Sequence, residues 1–231
     1  MTAQRLRVTF SRGEAVKHIA HLDLMRLWEL ALRQAGVPLA YAEGSRRTPR
    51  LSLAAPLPVG VTSSCELMDV FLAERLALRD FLSAISDQTV AGIEVMAARE
   101  VGLAQPSLQS LVRWAEYEVE VGSGGRAAAE VETAIETLLA ADSIPWQHAR
   151  ERRIRRYDLR LLVLGLWLEG ADGETCRLGM RLRTDKERAG RCEQVSAALG
   201  FPEAPTRIHR SRLYVEETSA ATQAYRRLGE P

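Results

Sequence analysis

The chain has almost no lysine: of 31 basic residues only Lys17 and Lys186 are lysines, and the rest are arginine. A guanidinium is a planar fork that grips phosphate or carboxylate through two bonds and stacks on bases, whereas an ammonium is a point charge. A G+C-rich coding sequence produces the same bias, so where the arginines cluster says more than how many there are. Charge of one sign is not in excess either, since the formal net charge is +1. That excludes a packager of nucleic acid driven by bulk electrostatics, but not a protein with local basic clusters. Cysteine is scarce. Cys65, Cys176 and Cys192 stand far apart, with no C-x-x-C pair and no histidine at metal-ligand spacing. No zinc or iron–sulfur site is expected, and the three residues read as reduced thiols. The longest apolar run, Leu159 to Leu168, is broken by Arg160 and Gly165 and is too short to span a bilayer. Met1–Arg7 lacks the apolar core of a signal peptide, so a cytoplasmic protein without membrane contact is expected.

Motifs for nucleophilic or nucleotide chemistry are missing too. There is no G-x-S-x-G, no Walker loop and no G-x-G-x-x-G after a strand. Gly122-Ser123-Gly124-Gly125 lacks the following Lys-Ser/Thr and reads as a turn. Glu66 and Asp69 lie three apart in an apolar alternating segment, so as strand residues they point to opposite faces and make no acid–base dyad.

What is there is ordinary globular material, 46% hydrophobic and 26% charged, enough to bury a core. The first half reads as a strand over 5–11, a helix over 23–35, an extended segment over 50–54, a strand over 65–73, a helix over 75–85 and a strand over 92–100. Leu24, Leu27, Trp28, Ala31 and Ala35 make one face of the first helix. Asp23 is placed to accept from its free N–H groups, Glu29 and Arg33 pair at i,i+4, and Gly36 stops it. The second half repeats the order: strand 114–121, helix 127–141, a long strand 153–168, the Asp172-Gly173 turn, strand 175–183, helix 186–199 and strand 206–216. The fold class expected is α+β, two tandem ferredoxin-like βαββαβ units with antiparallel sheets, over 1–104 and 110–220 with a tail over 221–231. Such units host unrelated activities, so function must come from side chains.

Two arginine clusters stand out. One is the Gly/Pro-bounded loop Glu43–Arg50 with Arg46, Arg47 and Arg50. The other is WQHARERRIRRYDLR from Trp146, in which Trp146, His148 and Tyr157 alternate with Arg150, Arg152, Arg153, Arg155, Arg156 and Arg160. Rings that stack on bases beside forks that engage phosphates are what single-stranded nucleic acid needs. A long edge strand whose charges resist aggregation has the same composition. Candidate nucleic-acid contacts are Arg26, Arg46, Arg47, Arg50, His148, Arg153, Arg155 and Arg156, with Lys17, Asp23 and Tyr41 beside them. His21, at the entrance of the first helix, is a candidate general acid/base, phosphate contact or packing residue. Trp28, Trp114 and Trp167 read as core or interface packing.

The run RLRVTFSRGEAVKHIAHLDLMRLWELALRQAGVPLAYAEG, continued by PRLSLAAPLPVGVTSSCELMDV, resembles the radical-SAM-linked family of unknown function, whose members are fused to radical SAM proteins or encoded beside them. The likeness extends to PSLQSLVRWAEYEV, RRIRRYDLRLLVL and RIHRSRLYVEE. Where that family has a Gly-Phe-Asn-Pro-His-Pro-like loop, this chain has Gly44-Ser45-Arg46-Arg47-Thr48-Pro49, without the histidine and asparagine. The three-cysteine cluster motif of radical SAM enzymes is absent too. The resemblance therefore implies a partner module, with S-adenosylmethionine and an iron–sulfur cluster expected only in a radical SAM partner chain. Three readings stay open: an RNA-binding accessory module in tRNA or rRNA modification, a protein adaptor without RNA, and a metal-independent RNA endonuclease using His21.

Overall fold

The computed structural model describes residues 2–43, 48–150 and 153–216, with the backbone alone for 148–150 and 153. Arg46, Arg47 and the tail over 221–231 lie outside the described residues.

The first half runs β1 (Gln4–Arg12), a 3-10 turn (Glu14–Val16), α1 (His21–Gln34), β2 (Leu51–Leu53), β3 (Thr62–Leu72), α2 (Leu78–Ser86) and β4 (Ile93–Val101). After a short α3 (Leu108–Leu111) come β5 (Val112–Gly122), α4 (Ala128–Ala140), β6 (Pro145–Arg150), β7 (Arg153–Asp158) and a 3-10 turn (Arg160–Leu162). Then follow β8 (Val163–Ala171), β9 (Thr175–Arg183), α5 (Cys192–Ala198) and β10 (Arg207–Val215). The architecture is mixed α+β. One sheet runs β4-β1-β3-β10-β5-β9-β8 with β2 also on β3, while β6 and β7 form a separate ribbon. Every pairing is antiparallel except β3 with β10, a short parallel seam at Thr62↔His209 and Ser63↔Arg210. Within each half the strands lie in the order fourth, first, third, second, if the ribbon is left out.

Alternation along the strands builds the core. Leu6, Val8 and Phe10 of β1 and Met68, Val70 and Leu72 of β3 have no exposed surface and pack under α1 and α2. Trp28 of α1 meets Phe10 edge-on at 4.8 Å. Gly36, at φ +67°, ends α1 in the left-handed conformation that spares glycine a Cβ clash. The helix starts two residues earlier than its sequence suggests, with Ala20 at the cap and no side-chain cap bond. Asp23 therefore pairs with Arg26 instead of capping. In the second half Ala115, Tyr117, Val119 and Val121 of β5 and Cys176, Leu178, Met180 and Leu182 of β9 pack against α4 and α5. Because Phe10 faces Glu66, and Arg210 faces Tyr117, the register puts both helix layers on one side of the sheet.

A buried ion pair closes the seam. Arg210 is 1% exposed and donates through Nε and Nη2 to Glu66, and Nη2 also reaches Ala55 O at 3.0 Å. On the opposite face Asp69 accepts from Arg5 and Arg7, and Arg5 also donates to Gln105 O and Pro106 O of the linker between the halves. Glu66 and Asp69 thus face opposite ways, as their spacing requires. The same face of the second half is left open by the described residues. Trp167, 38% exposed, lies across Gly179, and Trp114 stacks on Tyr214 at 4.8 Å. Expected among packing residues, Trp167 lies on the outer sheet surface.

Two expected elements are corrected. The long strand over 153–168 is broken in the middle, because the Asp158 carboxylate accepts from Ile144 N and Arg160 N and turns the chain through Arg160–Leu162. The helix over 186–199 shortens to Cys192–Ala198. Asp185 accepts from the N–H groups of Glu187 and Arg188, and Thr184 bridges Ala189, so residues 185–190 are a fixed loop.

Candidate nucleic-acid interface

The arginine-rich segment folds as the β6–β7 ribbon, with Trp146 opposite Tyr157, Gln147 opposite Arg156 and His148 opposite Arg155. Its base is anchored while its edge is free. Trp146 and Tyr157 pack on the second core, and Tyr157 Oη donates to Gln194 Oε1 of α5 at 2.5 Å. The Asp158 carboxyl is held below its usual range chiefly by the Ile144 N–H, with the Arg160 N–H and side chain adding to it. Burial raises the Tyr157 phenol, against the pull of the Gln194 bond and the Arg191 charge.

Beyond this anchor Ile154, Arg155 and Arg156 are exposed. Between the ribbon, the Leu161–Leu162 turn and the 187–191 loop lies a cleft of about 670 Å³, lined by Arg155, Arg156, Arg188 and Arg191. None of these four forms an ion pair with another described residue. Of the carboxylates lining the cleft, Asp158 is spent on backbone N–H groups, which leaves Glu187 to offset four guanidiniums. A second, more open hollow, on Ser143, Trp146, Gln147 and Arg156, flanks the ribbon. Four guanidiniums with a single free carboxylate among the described residues of the cleft are suited to phosphate oxygens.

The first-half candidates are differently placed. Arg50 donates to Thr2 Oγ1 at 2.8 Å and lies 4.3 Å over the Phe71 ring. Arg26 pairs with Asp23, and Lys17 with Glu14 at 2.7 Å. Tyr41 bridges Pro49 under the Arg33 guanidinium. His21 opens α1 half-buried, and its Nδ1 is buried without a hydrogen-bond partner among the described residues. No hydrogen bond joins it to Arg26 or Arg50 among those residues. The side chains of His148 and Arg153, like Arg46 and Arg47, lie outside the described residues. The structure thus places Arg155 and Arg156 on the same cleft as Arg188 and Arg191, two residues that the apolar pattern of 186–199 assigns to a helix. Asp185 and Gly190, which bound that loop, are the signal that could have found them.

Among the described residues no group of three or more His, Cys, Asp or Glu side chains is arranged to hold a metal ion, and no helix is long and apolar enough to cross a membrane.

Solved structures with a similar run of backbone include chains of a Cbf5–Nop10–Gar1 complex (TM-score 0.49) and of the archaeal box H/ACA sRNP Nop10–Cbf5 complex (TM-score 0.45). Each is 11% identical and covers 93% of this chain, which spans about half the length of theirs (50% and 49%). An unknown protein from Galdieria sulphuraria is 15% identical at a TM-score of 0.26, covering 85% of this chain and 90% of its own. Likenesses of this grade carry no argument about function. No curated protein matches the sequence. The model of the family described as uncharacterized protein conserved in bacteria (DUF2344) matches residues 5–191, and the chain belongs to that family.

Proposed function

We propose that the chain is an accessory RNA-binding module. It is built from two ferredoxin-like units, over 1–104 and 110–220, and holds single-stranded or structured RNA along the β6–β7 ribbon and its cleft. One observation carries this reading: Arg155, Arg156, Arg188 and Arg191 all line one cleft and none forms an ion pair with a described carboxylate, beside the anchored rings Trp146 and Tyr157. Guanidiniums without carboxylate partners are available to phosphate oxygens, and an RNA backbone seated on them gains affinity by releasing its counterions. The strand order within each half supports the ferredoxin-like reading. The sequence resemblance alone supports the further step, in which the module presents tRNA or rRNA to a radical SAM enzyme that brings S-adenosylmethionine and the iron–sulfur cluster. On this reading His21 is a packing residue, consistent with its buried, unpartnered Nδ1.

The test is anisotropy titration of a labelled single-stranded RNA across salt concentrations. Each phosphate contact adds a slope of about −0.7 to log K against log salt on single strands, so Arg155→Gln with Arg156→Gln should flatten the slope by about 1.4. Binding that is indifferent to salt and to both substitutions would refute the reading.

A further inference from the structure

We propose that the cleft is a nucleotide pocket, one that takes base and phosphate together and is not only a stretch of phosphate track; this deepens the RNA-binding reading and rests on it. Its volume of about 670 Å³ falls in the range of roughly 300–1,000 Å³ typical of small-molecule sites. The walls are of two kinds. Arg188 and Arg191 come from the 185–191 loop and Arg155 and Arg156 from β7, while Leu161 and Ala189 contribute apolar surface to the same space. Leu161 is 53% exposed and offers apolar surface against which the face of a base can be buried. A phosphate alone gives that surface nothing, and a base alone leaves the charges unmet.

The polar end is built, not merely populated. The Asp185 carboxylate fixes the N–H groups of Glu187 and Arg188 at 2.9 and 2.8 Å, Thr184 bridges Ala189, and Gly190 N donates to Arg183 O. Gly190 is packed so closely that a Cβ there would lie 3.0 Å from Leu182 Cβ and 3.2 Å from Leu162 O. The loop that carries Arg188 and Arg191 is therefore seated on the floor of the cleft, which lowers the ordering cost of gripping a phosphate. On the base side Gln194, whose carbonyl is taken by Tyr157, keeps its amide N–H₂ as a donor for a carbonyl or ring nitrogen.

Calorimetry on the full chain, with AMP, UMP, adenosine and inorganic phosphate as probes, tests this alongside RNA anisotropy with 5′-phosphorylated and unphosphorylated oligomers. The mononucleotides should bind about tenfold or more tightly than adenosine or phosphate alone, and Arg188→Gln with Arg191→Gln should remove that binding. Leu161→Ser, at an exposed position, should weaken AMP several-fold and leave phosphate unchanged. A preference for the 5′-phosphorylated oligomer assigns the pocket to an RNA end, and equal binding of both oligomers assigns it to an internal nucleotide. Mononucleotide binding without any RNA binding keeps the pocket and overturns the RNA reading. RNA binding by the native chain that ignores Leu161→Ser and the Arg188/Arg191 pair overturns the pocket and keeps the RNA reading.

Discussion

Glu66→Gln is predicted to be strongly destabilising although it is isosteric. Arg210 has 1% of its surface exposed, Glu66 has 3%, and the pair joins residues 144 apart in the chain at the β3–β10 seam between the two halves of the sheet. The Glu66 charge also faces Arg12, itself buried and held by the carbonyls of Val16, Lys17 and Ile19. Neutralising Glu66 leaves two buried guanidiniums without that counter-charge. Removing one partner of such a pair costs about 3–5 kcal/mol, against a total stability of about 5–15 kcal/mol for a domain. At about 2–4 °C per kcal/mol for a chain of this size, the melting temperature should drop by about 6–20 °C. Replacing both partners, Glu66→Leu with Arg210→Met, should recover much of the loss, because a buried pair is close to break-even against well-packed apolar side chains. The recovery is incomplete where Ala55 O loses its donor. The assay is urea unfolding followed by far-ultraviolet circular dichroism and tryptophan fluorescence. A loss below about 1 kcal/mol, the worth of an exposed pair, or two separate transitions in the native protein, would refute the reasoning that the seam binds the halves into one cooperative unit.

His209 gives the same seam a pH dependence. Its ring contacts Thr62 Oγ1 at 2.9 Å and Ser64 Oγ at 3.3 Å, and burial, with help from Arg207 and against Glu118, lowers its pKa. A lowered histidine contributes stability that is full above its unfolded value and lost as pH falls through about 6.5. The urea midpoint should therefore fall between pH 7.5 and 5.5, and less so in His209→Gln. Gly179→Val should lift Trp167 off the sheet, since a Cβ would sit 1.9 Å from the indole ring; a red-shifted emission with an intact fold is expected, and an unchanged spectrum contradicts the placement. Native thiols should resist iodoacetamide at pH 7.5, because burial pushes Cys65 up to about 11 and raises Cys176 and Cys192 as well; rapid labelling before unfolding would show otherwise.

The periodic elements were legible because burial imposes their spacing. The alternation of Leu67–Leu72 and the 3.6-residue rhythm of Leu24, Trp28 and Ala31 appear in the structure as β3 and α1. Local rules missed what single polar side chains decide. Asp158 and Asp185 turn the backbone where apolar pattern alone continues a strand or a helix. The β3–β10 seam was illegible for another reason: its contacts, Arg210 with Glu66 and His209 with Thr62, join residues that no spacing connects. The proposed site is only partly legible in the sequence. The aromatic neighbours of Arg155 and Arg156 mark them as candidate contacts, whereas Arg188 and Arg191 line the same cleft only because the 185–190 loop is fixed there. That Trp167 lies on the outer sheet face and not in the core depends on Gly179 of the neighbouring strand, which makes the space it occupies.

The most direct test of the central claim is crosslinking and sequencing of RNA bound to the tagged chain in its own cells, beside a variant with Arg155, Arg156, Arg188 and Arg191 all changed to glutamine. The account predicts enrichment of one RNA class by the native chain and its loss in the folded variant. No RNA above background with either chain, or the same enrichment with both, would contradict it.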